Sequence, residues 1–424
     1  MTRITEAAEK LNNTLEQKAP AIYSLLSRNG QKAFFPHAGI LGQTAESKGT
    51  KINATIGQAF EEDGRPMVLD TFLSQVKLPQ ETFLYSPSYG QKKLRELWQR
   101  EIKRKNPSLK TNITLPIATS GITHGLYLAG ELFIGEDETV IIPDKLWGNY
   151  KVIYKHANFD EFECFKGKGF NVHGLEEKLS GSNQKKIVLL NFPNNPTGYT
   201  PTEQEAEEIT NAVKDSAERN NSIAVICDDA YFGLVFEDGT YKESIFAKLA
   251  GLHERVLAVK IDGITKETYA WGLRVGFVTY GFKGMDEEAS SALEDKTAGT
   301  VRGTVSNVCT HSQFLAINAL QSQEFIPQTE EKYKTLKQRY DTIKKTLEDN
   351  QRYSEFFEAL PFNSGYFMCI KLKQNNTEQA RRGLIKNHST GIIATGGTLR
   401  IAYSAISKDD IPKLFENVYN ECKR

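Results

Sequence analysis

The sequence predicts an α/β protein with a mostly parallel central sheet flanked by helices, together with a smaller α+β domain. From about residue 67 onward, short apolar runs rich in β-branched residues alternate with amphipathic stretches. Runs of this kind are typical of parallel strands that are buried on both faces, and their alternation with helices is typical of a parallel sheet. At 424 residues, the chain is also longer than one hydrophobic core usually becomes, which favours two lobes.

The individual elements follow from the pattern in chain order. Helical spacing over residues 4–28, ending near Asn29-Gly30, predicts a helix at the start. Apolar runs then predict strands at residues 139–143, 186–190, 223–227 and 256–261. The amphipathic segment 201–219 predicts a helix between the second and third of these strands. A long Lys/Glu-rich helix is predicted over 313–350, and strands are predicted after it at 367–372 and 399–403.

These elements divide the chain into three parts. Residues 1–64 form an N-terminal segment that contributes to the small domain, and residues 65–315 form the large α/β domain. Residues 316–424 form the C-terminal small domain, in which a long linking helix leads into an α+β unit.

Composition limits the partners that we expect. The chain has 53 basic and 53 acidic residues, so its overall field attracts neither nucleic acid nor anionic lipid. No apolar window is long enough to span a bilayer, and the N-terminus lacks the apolar core of a signal peptide. The five cysteines are scattered and form no C-x-x-C pair. We therefore expect no nucleic-acid or membrane partner, no metal site, and a cytoplasmic location.

Reactive side chains follow several of the predicted strands. Lys266 comes shortly after the run VLAVKI, Asp228 ends the run IAVIC, and Tyr231 lies three residues further on. Open α/β sheets bind ligands at the carboxyl ends of their strands, where a desolvated lysine becomes nucleophilic. Taken singly, these residues also fit a solvated lysine and a helix-capping aspartate.

Two further segments are suited to an anionic ligand or a tight turn. The sequence NFPNNPTG (191–198) follows the run KIVLL, and by itself it fits an ordinary surface turn. Small residues at 119–123 precede an apolar helical run, which indicates a phosphate site at a helix N-terminus, although many loop-to-helix junctions look alike. Arg274 stands between Gly272 and Gly276, where small neighbours leave room for a phosphate.

In this order and combination, the segments resemble the fold type I aminotransferases that depend on pyridoxal 5′-phosphate (PLP), and more narrowly their aspartate/aromatic class I branch. The resemblance covers roughly residues 50–405. It implies PLP as cofactor and transfer of an amino group between an L-amino acid and a 2-oxo acid. The amino acid is expected to be aspartate, glutamate or an aromatic one. It also implies a homodimer with shared active sites.

The resemblance implies roles for the residues around the cofactor. Lys266 corresponds to the lysine that forms the Schiff base, and Asp228 to the partner of the pyridine nitrogen. Asn195 and Tyr231 correspond to the pair that hydrogen-bonds the phenolic oxygen. The remaining implied contacts are Ser120, Gly121, Ile122, Thr265 and Arg274 at the phosphate, Trp147 stacked on the ring, and Tyr85 from the neighbouring subunit.

The substrate residues are implied in the same way. Arg400, in GGTLRIAYS, corresponds to the arginine that binds the substrate α-carboxylate, assisted by Asn195. Arg302, in VRGTVSN, resembles the arginine that binds a side-chain carboxylate across the dimer, and it also fits a solvated loop arginine. Ile56 and Gly57 correspond to residues that line the substrate entrance.

Three positions depart from the family pattern, and other functions stay open. Gly263 and Ile122 replace residues that carry hydroxyl groups in relatives, and Tyr150 replaces a histidine. These departures indicate a divergent branch. A PLP-dependent β-lyase or decarboxylase would use the same residues. A non-catalytic ligand sensor with this fold is disfavoured, because such proteins need a DNA-binding segment and this chain has no basic run.

Overall fold

The computed structural model describes residues 4–18, 20–24, 26, 31, 39–74, 78–374 and 376–424. In chain order, its strands are β1 (Ile52–Asn53), β2 (Ile117–Thr119), β3 (Thr139–Pro143), β4 (Asn158–Phe162), β5 (Phe165–Lys166), β6 (Gly169–Phe170), β7 (Lys185–Asn191), β8 (Ser222–Asp228), β9 (Val256–Gly263), β10 (Gly276–Gly281), β11 (Phe357–Ala359), β12 (Phe367–Leu372), β13 (Thr390–Gly391), β14 (Ile393–Thr395) and β15 (Thr398–Ala402). Its α-helices are α1 (Glu6–Lys18), α2 (Pro20–Tyr23), α3 (Ile40–Glu46), α4 (Asp70–Leu73), α5 (Lys92–Lys105), α6 (Ile122–Phe133), α7 (Tyr150–Ile153), α8 (Val172–Lys178), α9 (Glu203–Glu218), α10 (Ile245–Leu249), α11 (Glu287–Thr304), α12 (Thr310–Gln321), α13 (Phe325–Asp349), α14 (Thr377–His388) and α15 (Asp410–Cys422). Short 3-10 helices cover Gln80–Phe83, Trp271–Leu273, Gln351–Glu355 and Tyr403–Ala405.

The larger sheet of the described chain has seven strands in the order β2-β10-β9-β8-β7-β3-β4. Strand β10 runs antiparallel to its two neighbours, and the other pairs are parallel. The apolar residues of β7, β8 and β9 are buried almost without interruption, as expected for strands covered by helices on both faces. The predicted α/β fold class with a mostly parallel central sheet is confirmed, and the four predicted strands lie within one or two residues of their expected bounds.

The helix predicted over 201–219 is α9, and its start is fixed by a capping box. The Thr202 side chain accepts a hydrogen bond from the Glu205 backbone N–H at 3.2 Å, and the Glu205 carboxylate accepts one from the Thr202 N–H at 2.8 Å. Reciprocal bonds of this kind satisfy backbone N–H groups that the first turn of a helix leaves without partners.

The single helix predicted over 313–350 is wrong. Helix α12 ends at Gln321 and α13 begins at Phe325. Pro327 explains the break, because a proline is tolerated in the first turn of a helix but not inside it. Between the two helices the Ser322 backbone is extended, and its hydroxyl accepts a hydrogen bond from the Glu324 N–H at 3.2 Å.

The helix predicted over residues 4–28 is described in two parts. Helix α1 covers Glu6–Lys18 and α2 covers Pro20–Tyr23, and the one residue between them lies outside the described residues. The predicted end near Asn29-Gly30 lies outside the described residues.

A second, antiparallel sheet has the order β11-β12-β15-β14 and contains the two strands predicted near the C-terminus. Residues from the start of the chain lie beside it, partly through a separate two-stranded sheet of β1 and β13. Strand β1 pairs with β13, Ala402 donates its N–H to the Ala54 carbonyl at 2.9 Å, and Gln43 exchanges two hydrogen bonds with the Ala394 backbone. The domain boundaries near residues 64 and 315 stay a prediction. Among the described helices, none combines the length and apolar character that crossing a membrane requires.

Candidate active site

Lys266 and Asp228 lie at the carboxyl edge of the large sheet. Asp228 is the last residue of β8, and Lys266 lies in the loop that follows β9. Burial lowers the pKa of Lys266 to about 8, although the Asp228 charge opposes this shift. Burial raises the pKa of Asp228 to about 6, against the effects of a hydrogen bond from Tyr150 and the Lys266 charge. An amine and a carboxylate with shifted pKa values at a sheet edge are typical of a reactive site.

Tyr150, at the start of α7, contacts Asp228 directly. Its hydroxyl donates a hydrogen bond to Asp228 Oδ2 at 2.5 Å, while Asp228 Oδ1 accepts one from the Ala230 N–H at 3.1 Å. The Tyr150 ring is buried and packs edge-on against Trp147, with 5.4 Å between the ring centres. Burial and the Asp228 charge raise the pKa of Tyr150, so this tyrosine stays a neutral donor.

Asn191 connects the ends of β7 and β8 beneath the site. Its amide nitrogen donates to the Asp228 carbonyl at 2.8 Å, and its amide oxygen accepts the Asn195 N–H at 2.8 Å. Asn191 and Asp228 are neighbours across the parallel strand pair. One buried side chain therefore fixes the position of both Asp228 and the turn that carries Asn195.

Arg400, on β15, is buried and held from two sides. One terminal nitrogen donates to the Thr55 carbonyl at 2.8 Å and the other to Asn195 Oδ1 at 3.2 Å. Its guanidinium lies 4.4 Å from the centre of the Phe367 ring. Burial lowers the pKa of Arg400. The buried Nε has no hydrogen-bond partner among the described residues, so its N–H is available to a ligand.

The N-terminus of α6 meets Arg274. Gly121 caps this helix with φ of 82°, and a Cβ added there would lie 2.4 Å from Arg274 Nη2. Only glycine therefore suits both the backbone and the contact. The Ser120 N–H donates to His124 Nδ1 and the Gly121 N–H to the Thr119 carbonyl, so both are occupied within the turn.

Besides Tyr150, the departures from the family pattern at Gly263 and Ile122 have a visible structural context. A Cβ at Gly263 would lie 2.6 Å from the Val275 carbonyl oxygen and 2.7 Å from the Gly276 Cα, so a serine would not fit unless β10 moved. Thr265, two residues later, is buried, and its hydroxyl has no hydrogen-bond partner in the described part of the chain. This hydroxyl is thus an orphan polar atom beside Lys266. The third departure is Ile122, which lines the cavity between these elements.

A cavity of about 200 Å³ lies between these elements. The predicted residues that line it are Gly57, Ile122, Trp147, Asn195, Asp228, Tyr231, Lys266 and Arg400. The Tyr231 ring centre lies 5.4 Å from Lys266 Nζ, and burial raises the pKa of Tyr231, which keeps its hydroxyl protonated. The nucleophilic amine, the carboxylate and the guanidinium that were predicted from the sequence therefore line one cavity.

Seven predicted residues are not among those that line this cavity. Ser120, Gly121, Thr265 and Arg274 belong to the turn before α6 and the loop after β9, described above, and the other three lie apart from the cavity in the single chain. Tyr85 is 91% exposed. Arg302 lies in the last turn of α11, exposed, and donates to Ser306 Oγ at 2.8 Å. Ile56 is half-buried and does not line the cavity, unlike its neighbour Gly57.

Other residues line the cavity but were not predicted from the sequence. They are Ile40, Thr123, Tyr150, Asn191, Ala230 and Phe367. For Asn191 and Tyr150 a signal was present, since both belong to motifs that were noted. Nothing in the sequence near Ile40 indicated a site, because α3 reaches the cavity only through its contacts with the C-terminal sheet.

Comparison with known proteins decides the family. The family model of aminotransferase class I and II matches residues 52–418. The chain belongs to this family. Its members are PLP-dependent aminotransferases, which confirms the enzyme class and the cofactor that the resemblance implied.

Individual relatives are distant. An aspartate aminotransferase of Bacillus sp. (strain YM-2) is 26% identical over 263 residues, which cover 61% of this aminotransferase and 62% of the relative. An aspartate aminotransferase of Pyrococcus horikoshii is 27% identical over 337 residues, which cover 77% of this chain and 80% of the relative. The crystal structure of an aminotransferase from Anaerococcus prevotii has a TM-score of 0.78 at 22% identity and covers 100% of this chain and 98% of that one.

The residues present fit PLP. The aldehyde of the cofactor requires an amine, its ring nitrogen a carboxylate, and its phosphate cations and hydroxyl donors. Lys266 and Asp228 meet the first two requirements. At the third, Arg274 packs on the N-terminus of α6, and the orphan Thr265 hydroxyl is a ready donor.

Proposed function

We propose that this aminotransferase moves the amino group of an L-amino acid, either aspartate or glutamate or an aromatic amino acid, to a 2-oxo acid. One observation carries the proposal: Lys266, Asp228 and Arg400 line the same cavity. The reaction of an amino acid requires all three groups. The amine accepts the proton from Cα, the carboxylate polarises the cofactor, and the guanidinium binds the carboxylate of the substrate.

Cofactor binding is assigned to residues on every side of the cavity. When bound, PLP supplies an electron sink for the charge that develops at the substrate Cα. Asp228, which accepts a hydrogen bond from the Tyr150 hydroxyl, would hold a proton on the ring nitrogen. Tyr231 and Asn195 would donate to the phenolic oxygen. Trp147 would stack on the ring, and Ser120, Gly121, Ile122, Thr265 and Arg274 would hold the phosphate.

Proton transfer is assigned to Lys266. A pKa of about 8 leaves a fraction of its amine neutral near pH 7, and a neutral amine can accept the proton from the substrate Cα. Arg400 binds the α-carboxylate through donors that the Thr55 carbonyl and Asn195 hold in place. A fixed carboxylate orients the Cα–H bond toward Lys266, which lowers the entropic part of the barrier.

A homodimer accounts for the residues that lie apart from the cavity. Phe83, Leu84 and Tyr85 are 73%, 69% and 91% exposed, which is unusual for three consecutive apolar side chains. In the proposed dimer, Tyr85 reaches the cofactor phosphate of the second copy. Arg302 binds the side-chain carboxylate of its substrate there, and Ile56 lies with Gly57 at the entrance. The two relatives named aspartate aminotransferases support a dicarboxylate substrate.

The same reasoning favours the cytoplasm. All five cysteines are free thiols, and four of them are buried. Unpaired thiols are typical of proteins in a reducing compartment. Neither nucleic acid nor a membrane is part of the proposed function.

Spectroscopy tests the proposal. Single L-amino acids are added to the purified PLP-loaded protein without a keto acid, and the visible band of the lysine-bound cofactor is recorded. Bleaching by aspartate or glutamate supports the dicarboxylate assignment, whereas bleaching by aromatic amino acids alone excludes it. Release of carbon dioxide or of a β-substituent in place of a keto acid would favour the decarboxylase or β-lyase. A protein that shows no such band after PLP is added contradicts the role of Lys266, and Lys266→Ala is the matched control.

A further inference from the structure

A second cavity, of about 240 Å³, lies between the end of α5, the first half of α13 and the loops that follow β8 and β9. It is slightly larger than the candidate active site and shares no lining residue with it. The two cavities are nevertheless adjacent along the chain. Phe232, which lines the second cavity, follows Tyr231, and Glu267 follows Lys266.

The inner part of this second cavity holds an ion pair between aromatic rings. Lys105 Nζ lies 2.7 Å from Glu267 Oε2, and the two side chains are only 13% and 15% exposed. The same ammonium lies 5.2 Å from the centre of the Trp98 ring and 5.1 Å from that of Phe232. A cation and an anion are thus fixed side by side where solvent screens them little.

The rest of the lining is apolar inside and balanced in charge. Phe325 is buried, while Ile326 exposes 40% of its surface at the same helix turn. The positively charged lining residues are Arg104, Lys105 and Lys242. The negatively charged ones are Glu101, Glu267 and Glu330. A lining with equal numbers of both signs favours neither a simple anion nor a simple cation.

We propose that the second cavity binds a zwitterionic amino acid with an aromatic or large aliphatic side chain. Its carboxylate pairs with Lys105 and its ammonium with Glu267, while its side chain packs against Trp98 and Ile326. A zwitterion gives each member of the Lys105–Glu267 pair a new partner, whereas a singly charged ligand leaves one of them poorly paired. The aromatic faces favour both an apolar side chain and an ammonium group.

Calorimetric titration of the PLP-loaded protein with N-methyl-L-phenylalanine tests the proposal. This probe is a zwitterion, but its secondary amine cannot replace Lys266 on the cofactor as a primary amine does. We expect one probe to bind per chain, and Arg400→Gln to leave this binding intact. Thr329→Trp, which fills the cavity, should weaken binding by about tenfold or more. Thr342→Trp is the matched control, because both threonines bond the carbonyl four residues before them and both are half-buried, but Thr342 does not line the cavity.

Two outcomes of that titration overturn the proposal. One is the absence of binding at millimolar probe. The other is binding that Arg400→Gln abolishes and Thr329→Trp leaves unchanged, which places the probe in the active site. Because the proposal does not depend on the transfer reaction, failure of the spectroscopic test of function leaves this test intact.

The ligand class is tested with two compounds that lack one charge each. We expect 3-phenylpropionate and N-methyl-2-phenylethylamine to bind about tenfold more weakly than the zwitterion. In Lys105→Met, Glu267 remains, so the preference should reverse and the amine should bind at least as tightly as the zwitterion. Equal binding of all three compounds to the unaltered protein, or an unchanged order in Lys105→Met, contradicts the zwitterion assignment.

Discussion

The Tyr150 hydroxyl donates a hydrogen bond of 2.5 Å to the Asp228 carboxylate. A histidine at this position, as in the relatives that the sequence resembles, can gain a proton within the physiological pH range. A tyrosine whose pKa is raised by burial and by the Asp228 charge cannot lose its proton there. The support for Asp228 is therefore neutral and independent of pH in this chain.

The first prediction concerns Tyr150→Phe. Loss of the hydrogen bond removes the largest effect that opposes burial, so the pKa of Asp228, about 6, should rise by about one unit. The charged form of Asp228 is lost as pH falls through its pKa, so it should be lost at a higher pH in the variant. We expect the affinity for pyridoxamine 5′-phosphate, which cannot join Lys266, to fall at correspondingly higher pH in a fluorescence titration.

Tyr154→Phe is the control for this prediction. Tyr154 is also buried, but its hydroxyl donates to the Leu126 carbonyl at 3.0 Å rather than to Asp228. The pH dependence of Tyr154→Phe should match that of the unaltered protein. Equal shifts in both variants would show that Tyr150 acts only through packing.

A second prediction concerns the amine of Lys266. Its pKa is lowered to about 8 by burial, and only the neutral amine attacks a carbonyl. In protein stripped of cofactor, the rate of PLP capture should rise with pH and level off above about pH 8. Stopped-flow absorbance measures this rate. A rate that continues to rise toward pH 10 would mean that the lysine is solvated.

Arg302→Gln gives a third prediction, which depends on the proposed dimer. We expect kcat/KM for aspartate and glutamate to fall by about 30-fold or more, because a charged partner of the side-chain carboxylate is lost. Values for phenylalanine and tyrosine should stay within about twofold. Arg255→Gln serves as control, because this exposed arginine directly precedes β9 and so lies at the end of that strand opposite to Lys266. An equal loss of kcat/KM for all four amino acids would assign Arg302 a structural role instead.

Much of the large sheet could be predicted because two-sided burial leaves a visible pattern. The runs at β3, β7, β8 and β9 are apolar at nearly every position, since each strand is covered by helices on both faces. Strand β2 has three residues and β13 has two, too few to show any period. The break before α13 was marked by Pro327, and the amphipathic pattern on either side obscured it.

Site residues that directly follow a strand could be predicted from the sequence. Site residues that reach the cavity only through tertiary packing could not. Asp228 and Lys266 meet because parallel strands end at one edge. The contact between Tyr150 and Asp228 spans 78 residues and depends on how α7 is oriented. Ile40 reaches the cavity because Gln43 of the same helix is hydrogen-bonded to Ala394, 351 residues away. Pairings at such separation leave no local signal.

The last prediction concerns a buried ion cluster behind Asp228. Lys260 is fully buried and bonds the carboxylate of Asp229, and it lies 3.3 Å from Asp262 Oδ2. The Asp229 and Lys260 charges stabilise each other, while burial and, to a smaller extent, the Asp262 charge raise the pKa of Asp229. Lys260→Met would leave two carboxylates in the core without a cation. We expect it to lower the free energy of unfolding by about 3–5 kcal/mol, measured by urea denaturation.

Lys337→Met provides the comparison. Lys337 pairs with Asp341 on α13, but the side chains are 35% and 54% exposed, and such surface pairs contribute about 0–1 kcal/mol. The loss in Lys260→Met should also shrink at low pH, because protonation of Asp229, whose pKa burial raises, removes part of the uncompensated charge. A loss near that of Lys337→Met would mean that water reaches the cluster or that the carboxylates are already neutral. In that case the buried ion cluster behind Asp228 would contribute no negative electrostatic potential to the candidate site.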